Sequence, residues 1–165
     1  MKKFELTSET KINIFGKKLF RIKALVSFGV VKTGETGGWV EKEENVNQSG
    51  DAWVFGNAEV FGNARVSGDA EVFGNARVSG NARVFGNARV FGNADYTTIH
   101  GFGTQFRTTT FFRCKDKQVK VSCGCFYGTI PEFREQVKNT RDGKIAEEYL
   151  MIADLMEKHF AEEAK

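Results

Sequence analysis

Seven consecutive copies of a six-residue unit occupy residues 54–95 and limit the possible folds more than any other feature of the chain. The units are VFGNAE, VFGNAR, VSGDAE, VFGNAR, VSGNAR, VFGNAR and VFGNAD. A unit this short cannot bury its own apolar face, so copies must stack on one another as a solenoid. Each valine follows an alanine by two positions, which places both side chains on one face of a short strand. The sequence therefore predicts an interior of alanine and valine, with Gly-Asn or Gly-Asp turning the chain between strands.

These units resemble the repeats of the left-handed parallel β-helix of hexapeptide-repeat acyltransferases, in which three units form one coil. The resemblance implies a mainly β fold built on such a helix. It also implies a homotrimer, since proteins of this class are commonly trimeric about the helix axis. The chain departs from the family pattern in one respect: phenylalanine or serine follows the inward valine, and glycine comes one position later.

The composition on either side of the repeats divides the chain into three predicted parts. Residues 1–41 alternate apolar and polar types around Gly16-Lys17, which predicts a β-hairpin cap followed by a glycine-rich loop into the repeats. Residues 42–103 form the predicted β-helix, with degenerate units from residue 42. Residues 104–165 predict a small α+β domain made of a β-hairpin and two amphipathic helices, the first opened by a capping box at Thr129.

Equivalent positions in a three-unit coil lie eighteen residues apart, so the outward side chains can be assigned to columns. One column is aromatic and too large to leave in water on a soluble protein. It contains Trp53, Phe55, Phe73 and Phe91. We expect this column to form a subunit interface, and the alternative is burial under the chain's own termini. A second column, Glu59–Arg77–Asp95, alternates in charge and should favour the predicted register.

The C-terminal hairpin carries the predicted ligand site. With a two-residue turn at Asp116-Lys117, Cys114 would lie opposite Val119 and Cys123 opposite Thr110. Hydroxyl and basic side chains then gather beside the hairpin, where they would suit the oxygens of a phosphate group. The predicted ligand-binding residues are Arg107, Thr108, Thr109, Thr110, Arg113 and Lys120. The alternative is a solvated strand edge kept soluble by its charges.

Histidine is too scarce for the enzymes that share this solenoid. Acyltransferases with hexapeptide repeats generally use a histidine from a coil or a projecting loop as general base. The chain has only His100 and His159, and the repeat phase puts His100 on an inward position, where a packed residue is expected. The γ-class carbonic anhydrases, which the solenoid also resembles, need three histidine ligands. We therefore expect no catalytic residue, no cofactor and no metal site.

Cys114, Cys123 and Cys125 are an odd number of thiols, which favours reduced cysteines over a disulfide framework. Cys123-Gly-Cys125 is not a CxxC motif, and the predicted register keeps Cys114 away from it. Structural thiols are the expectation, with a catalytic or metal-binding role as the alternative.

Charge and hydropathy exclude few partners. A net charge of +3 does not indicate a nucleic-acid partner, and no apolar run reaches the length of a membrane span. The N-terminus has no apolar signal core, so a cytoplasmic location is expected.

The phrases TTTFFRCKD, VSCGCFYGTIPEF, FRIKALVSFG and GETGGWVE resemble small phage- and prophage-borne repeat proteins. This resemblance implies expression in the cytoplasm of a bacterial host. The expected function is a non-enzymatic binding protein that engages a host macromolecule or sequesters a phosphorylated small ligand, with a possible counter-defence role. The alternative is an acyltransferase of the hexapeptide class.

Overall fold

The computed structural model describes residues 1–161, and the chain forms two compact units, Met1–Asn93 and Ala94–Lys165. The first unit consists of strands and turns. The second combines a four-stranded sheet with two helices. The protein is therefore mainly β with a small C-terminal helical region.

The first unit begins with three longer strands and continues with seven strands of two residues each. The longer strands are β1 (Phe4–Ile12), β2 (Lys18–Ala24) and β3 (Thr36–Val40). The short strands are β4 (Trp53–Val54), β5 (Glu59–Val60), β6 (Arg65–Val66), β7 (Glu71–Val72), β8 (Arg77–Val78), β9 (Arg83–Val84) and β10 (Arg89–Val90). Each repeat unit thus supplies one short strand and one turn.

The short strands stack in parallel ladders with the predicted eighteen-residue register. Trp53 pairs with Glu71 and Glu71 with Arg89, while Glu59 pairs with Arg77 and Arg65 with Arg83. The repeat alanines and valines from Ala52 to Val90 are all completely buried. The predicted interior and register of the repeats are confirmed.

The glycine-rich segment before the repeats is not only a loop. Its centre is β3, which pairs antiparallel with β2 and parallel with β5, through Trp39 and Glu59. A β-carbon at Gly38 would lie 2.6 Å from the Ala58 carbonyl oxygen, so glycine lets this strand pack closely against the first coil. The ladders therefore begin before residue 42, and glycine there reflects close packing rather than a turn.

The pairing step at the start of the first unit is two residues longer than the step within the repeats. Trp39 pairs with Glu59 and Val46 with Val66, a step of twenty, whereas Trp53 pairs with Glu71, a step of eighteen. The extra residues lie in the corner between Val46 and Trp53, after a short 3-10 turn at Glu43–Asn45. This enlarged corner lies beside the third ladder, β6–β9.

The second unit contains an antiparallel sheet with two helices packed on one of its faces. Its strands are β11 (Tyr96–Phe102), β12 (Arg107–Arg113), β13 (Val119–Cys123) and β14 (Phe126–Thr129), and its helices are α1 (Ile130–Thr140) and α2 (Gly143–Phe160). The core joins Phe111 and Val121 of the sheet to Phe133, Tyr149 and Met156 of the helices. β11, which the repeat phase assigned to the solenoid, instead pairs antiparallel with β12.

The helix predictions are confirmed with one exception. Thr129 Oγ1 accepts from the Glu132 amide at 3.3 Å, and Glu132 Oε2 accepts from the Thr129 amide at 2.8 Å, which completes the capping box. The exception is Leu155, an apolar residue of the amphipathic helix α2 that is 56% exposed. Ala153 is buried instead, because the stripe turns slightly around the helix.

The predicted hairpin register is wrong by one residue. Arg113 pairs with Val119, Thr110 pairs with Ser122, and the Cys114 amide donates to the Gln118 carbonyl at 2.9 Å. The turn holds three residues, not two, and Lys117 adopts a φ of 67°. A one-residue slip moves one strand's side chains to the other face of the sheet.

The corners provide a matched test of the repeat geometry. Gly74 and Gly80 both have positive φ, but a β-carbon at Gly74 would lie 2.6 Å from the Phe91 carbonyl oxygen, whereas Gly80 has open space. Gly80→Ala should lower the free energy of unfolding by about 1–2 kcal/mol through backbone strain alone. Gly74→Ala should lower the free energy of unfolding by roughly 1–3 kcal/mol more than Gly80→Ala does, because its β-carbon meets the Phe91 carbonyl. Thermal melts followed by circular dichroism measure the difference, and equal losses would contradict this geometry.

Candidate functional site

The predicted phosphate-binding residues do not converge on one face of the hairpin. The helix-facing side, shared with Phe111, carries Arg107, Thr109 and Arg113, and the opposite side carries Thr108, Thr110 and Lys120. Thr109 and Thr110 are almost completely buried. The one-residue error in the predicted register explains why the predicted residues do not converge, because that register had placed Lys120 on the same face as Arg107 and Arg113. The role of these residues in ligand binding stays a prediction.

The two charged residues at the centre of that cluster have partners within the second unit. Arg113 Nε lies 3.2 Å from Asp95 Oδ1, and Arg113 Nη2 donates to the Phe160 carbonyl at 3.1 Å. Lys120 Nζ lies 5.8 Å from the centre of the Tyr127 ring. Asp95, the last member of the predicted charge ladder, thus forms an ion pair with Arg113.

The aromatic column divides into a buried part and an exposed part. Trp53 is 1% exposed and lies under the chain's own N-terminal region, with the ring centres of Phe4 and Phe28 at 5.8 and 5.3 Å. For Trp53 the alternative, burial by the chain itself, is correct. Phe55, Phe73 and Phe91 stack with ring centres 4.4 and 4.8 Å apart. Phe91 is 56% exposed, so this stack ends in open aromatic surface.

Two of the three ladders place opposite charges next to each other. Arg77 Nε lies 3.4 Å from Glu59 Oε2, and Lys11 Nζ lies 2.9 Å from Glu59 Oε1. Arg89 Nη2 lies 3.1 Å from Glu71 Oε2. These ion pairs neutralise two carboxylates that are nearly buried, and they stabilise the stacking of successive coils.

The third ladder places like charges next to each other. Arg65 and Arg83 are direct partners in the β6–β9 register, and both side chains are exposed. Among residues 1–161, Arg65 makes no ion pair. Like charges directly opposite on neighbouring strands destabilise a sheet. An anion bound between the two guanidinium groups would remove that repulsion.

A groove of about 470 Å³ lies over this arginine pair. One wall comes from the enlarged corner of the first coil and the other from β6, β9 and the residues that follow them. The lining residues are Glu43, Glu44, Val46, Asn47, Gln48, Arg65, Val66, Ser67, Arg83 and Phe85. Asn47 and Gln48 of the enlarged corner therefore help to form this concave surface.

Two guanidinium groups and two carboxylates, those of Glu43 and Glu44, line the groove together with neutral polar side chains. Glu43 is engaged at the rim by Lys2 Nζ at 2.9 Å and by Gln48 Nε2 at 3.1 Å, and the bond from Lys2 holds the pKa of this carboxyl below its usual value. Asn47 Oδ1 accepts from the amide and hydroxyl of Ser49, which leaves its side-chain nitrogen as a donor. With the two guanidinium groups, this arrangement suits a phosphate or carboxylate group.

Sequence reasoning missed this groove, although its signal was present. Arg65 and Arg83 occupy equivalent positions eighteen residues apart, where the other two columns pair arginine with glutamate. The extra residues that form the opposite wall were not detectable by periodicity, because the units before residue 54 are degenerate.

The two histidines and the three cysteines all lie in the second unit. His100 is exposed on β11, with Nδ1 at 2.9 Å from Thr108 Oγ1, so its predicted inward position is wrong. Cys114 is buried, which raises the pKa of its thiol to about 11. In the part of the chain that the structure describes, no three histidine, cysteine or acidic side chains are grouped as metal ligands. Within the same residues, neither helix is long and apolar enough to cross a membrane.

Arg65→Glu should stabilise the ligand-free protein, because it converts the like-charge pair into the pairing found in the other ladders. The expected gain in the free energy of unfolding is about 0.2–1 kcal/mol at low salt, and it should shrink as salt screens the charges. Arg77→Glu, which faces Glu59, is the matched control and should destabilise the protein. Urea denaturation at two salt concentrations checks both, and a loss of stability in Arg65→Glu would contradict the repulsion.

Residues 82–94, within the repeats, match the family model described as the YdcK β-solenoid repeat. No curated protein matches the chain. Together with the eighteen-residue parallel ladders, the family match supports a β-solenoid repeat protein.

Proposed function

We propose that this chain is a non-enzymatic binding protein whose first unit holds a small phosphorylated ligand in the Arg65–Arg83 groove. The observation that carries the proposal is the pairing of two like-charged side chains in one ladder while the other two ladders pair opposite charges. A bound anion would offset the repulsion between the two guanidinium groups.

The groove chemistry fits a phosphate group better than a single carboxylate. Guanidinium groups bind phosphate oxygens in pairs of parallel hydrogen bonds, and two stacked arginines offer more donors than one carboxylate can accept. The Ser67 hydroxyl and the Asn47 amide nitrogen add neutral donors along the groove. Phe85 provides an apolar surface for the rest of the ligand.

We also propose the handedness of the fold, its assembly as a trimer and its cellular location. The parallel ladders are those expected of a left-handed β-helix, and the stack of Phe55, Phe73 and Phe91 is the surface through which three copies would associate. From the resemblance to phage-borne repeat proteins, we further propose that this activity takes place in the cytoplasm of a bacterial host. There, sequestering a phosphorylated signal or engaging a host macromolecule would serve counter-defence.

The acyltransferase alternative has less support. His100 is exposed, and among residues 1–161 its ring bonds to the Thr108 hydroxyl and to no carboxylate. A general base normally needs such a partner, together with a bound acyl donor. Acetyl-CoA turnover that is lost in His100→Ala would favour the enzyme.

Inorganic phosphate should raise the melting temperature of the wild-type protein at matched ionic strength. Arg65→Glu should lose this shift, because each charge-assisted bond removed lowers affinity by roughly ten- to a hundredfold. Lys32→Gln, an exposed lysine of the same unit, should keep the shift. Titration calorimetry of the three proteins provides the affinities.

Two outcomes would contradict phosphate binding in the Arg65–Arg83 groove. If phosphate binding survives Arg65→Glu but is lost in Lys120→Gln, the ligand binds at the hairpin, as the sequence predicted. If phosphate gives no shift in any of these proteins, the binding function itself is wrong.

Wild-type protein should sediment as a trimer at micromolar concentration, and Phe73→Glu should shift it to smaller species. Burying the phenylalanine stack of each subunit should contribute several kcal/mol at about 25 cal/mol per Å². Met151→Glu, an exposed apolar residue on α2, is the control and should leave the trimer intact. A wild-type monomer in sedimentation velocity at this concentration would refute the assembly.

A further inference from the structure

The tight turn between β13 and β14 brings two thiols together in the second unit. Cys123 pairs with Phe126 across a two-residue turn, so Cys125 lies two residues from Cys123 in the same turn. Cys125 is exposed, and Cys123 is half-buried. Neither thiol takes part in the proposed binding groove, which belongs to the first unit.

Two hydroxyl groups, those of Thr109 and Tyr149, interact with the Cys123 sulfur. Thr109 is 2% exposed, and its hydroxyl donates to Cys123 Sγ at 3.2 Å. Burial and the nearby Cys123 sulfur raise the pKa of Tyr149, so this phenol keeps its proton and can donate toward the sulfur. A buried hydroxyl normally bonds to the backbone or to water, whereas the Thr109 hydroxyl bonds to a cysteine sulfur.

Cationic groups lie close to the same turn. A β-carbon at Gly124 would collide with the Arg107 guanidinium, which therefore lies directly against the turn between the two cysteines. Arg107 and Arg141 both act to lower the pKa of Tyr149, which places two positive charges within electrostatic range of that phenol. Positive charge and hydroxyl donors stabilise the sulfur anion that attacks disulfides, and they also attract carboxylates.

We propose that Cys123 is a thiol–disulfide exchange site for a low-molecular-weight disulfide that carries carboxylates, with Cys125 as the resolving thiol. Cys123 loses its proton to solvent, and its sulfur attacks one sulfur of the small disulfide. The small disulfide's S–S bond breaks, and the leaving thiolate takes a proton from water. Cys125 then attacks the Cys123 sulfur of the mixed disulfide and releases the second small thiol.

The exchange is balanced in atoms and electrons. Two protein thiols are oxidised to one disulfide, and one small disulfide is reduced to two small thiols. The buried Cys114 takes no part, because burial keeps its thiol protonated and out of reach.

Oxidised glutathione is the probe, applied to the full-length protein and followed by acid quenching, alkylation and peptide mass spectrometry. Wild-type protein should acquire glutathione on Cys123 before Cys125, although Cys125 is more exposed, and should then form the Cys123–Cys125 disulfide. Cys125→Ser should trap the adduct on Cys123. Thr109→Val should slow the Cys123 adduct about two- to tenfold, and Thr109→Ser should restore its rate.

Modification of Cys125 first in the wild type, at a rate that Thr109→Val does not change, would overturn the proposal. An unmodified Cys123 in Cys125→Ser would overturn it as well. Because Cys125 is exposed in a turn, this second variant tests the site even if Thr109→Val fails to fold. Intact phosphate binding in the oxidised protein would show that the two sites are independent.

Discussion

The parallel backbone ladder between successive coils determines most of what the first unit can do. The Phe55 amide donates to the Val72 carbonyl at 2.8 Å, and the Phe73 amide donates to the Val90 carbonyl at 2.7 Å. This spacing fixes each side chain above its equivalent in the previous coil. Stacking equivalents puts phenylalanine on phenylalanine and glutamate beside arginine. It also places Arg65 beside Arg83, because the ladder offers no freedom to separate them.

The sequence predicted the repetitive part of the fold well and the irregular parts poorly. The alanine and valine interior follows from the two-residue spacing of these residues in every unit, since a one-residue slip would expose both. β3 was missed because its glycines indicate a turn in isolation, while their actual role is to let a strand approach Trp53 and Ala58 closely. The predicted hairpin register was wrong by one residue. Lys117 adopts a positive φ that lysine seldom takes, and the turn holds three residues, not two.

The candidate site depends on this distinction between regular and irregular structure. The repeat sequence determines the arginine pair, but the wall of the groove opposite this pair comes from an enlarged corner in a degenerate unit. Sequences tend to break a local rule where function requires it, and two like charges in one ladder are such a break. The register places Lys120 and the arginines of the hairpin on opposite faces, and the role of these residues in ligand binding stays a prediction.

The most direct test of the central claim is a titration of isotopically labelled protein with inorganic phosphate, followed by backbone amide NMR. The account predicts saturable shifts confined to residues 43–48, 65–67 and 83–85, which line the groove. It predicts no shifts along β12 and β13. Saturable shifts at residues 107–123 without shifts at residues 65–67 would contradict it, as would the absence of any saturable shift.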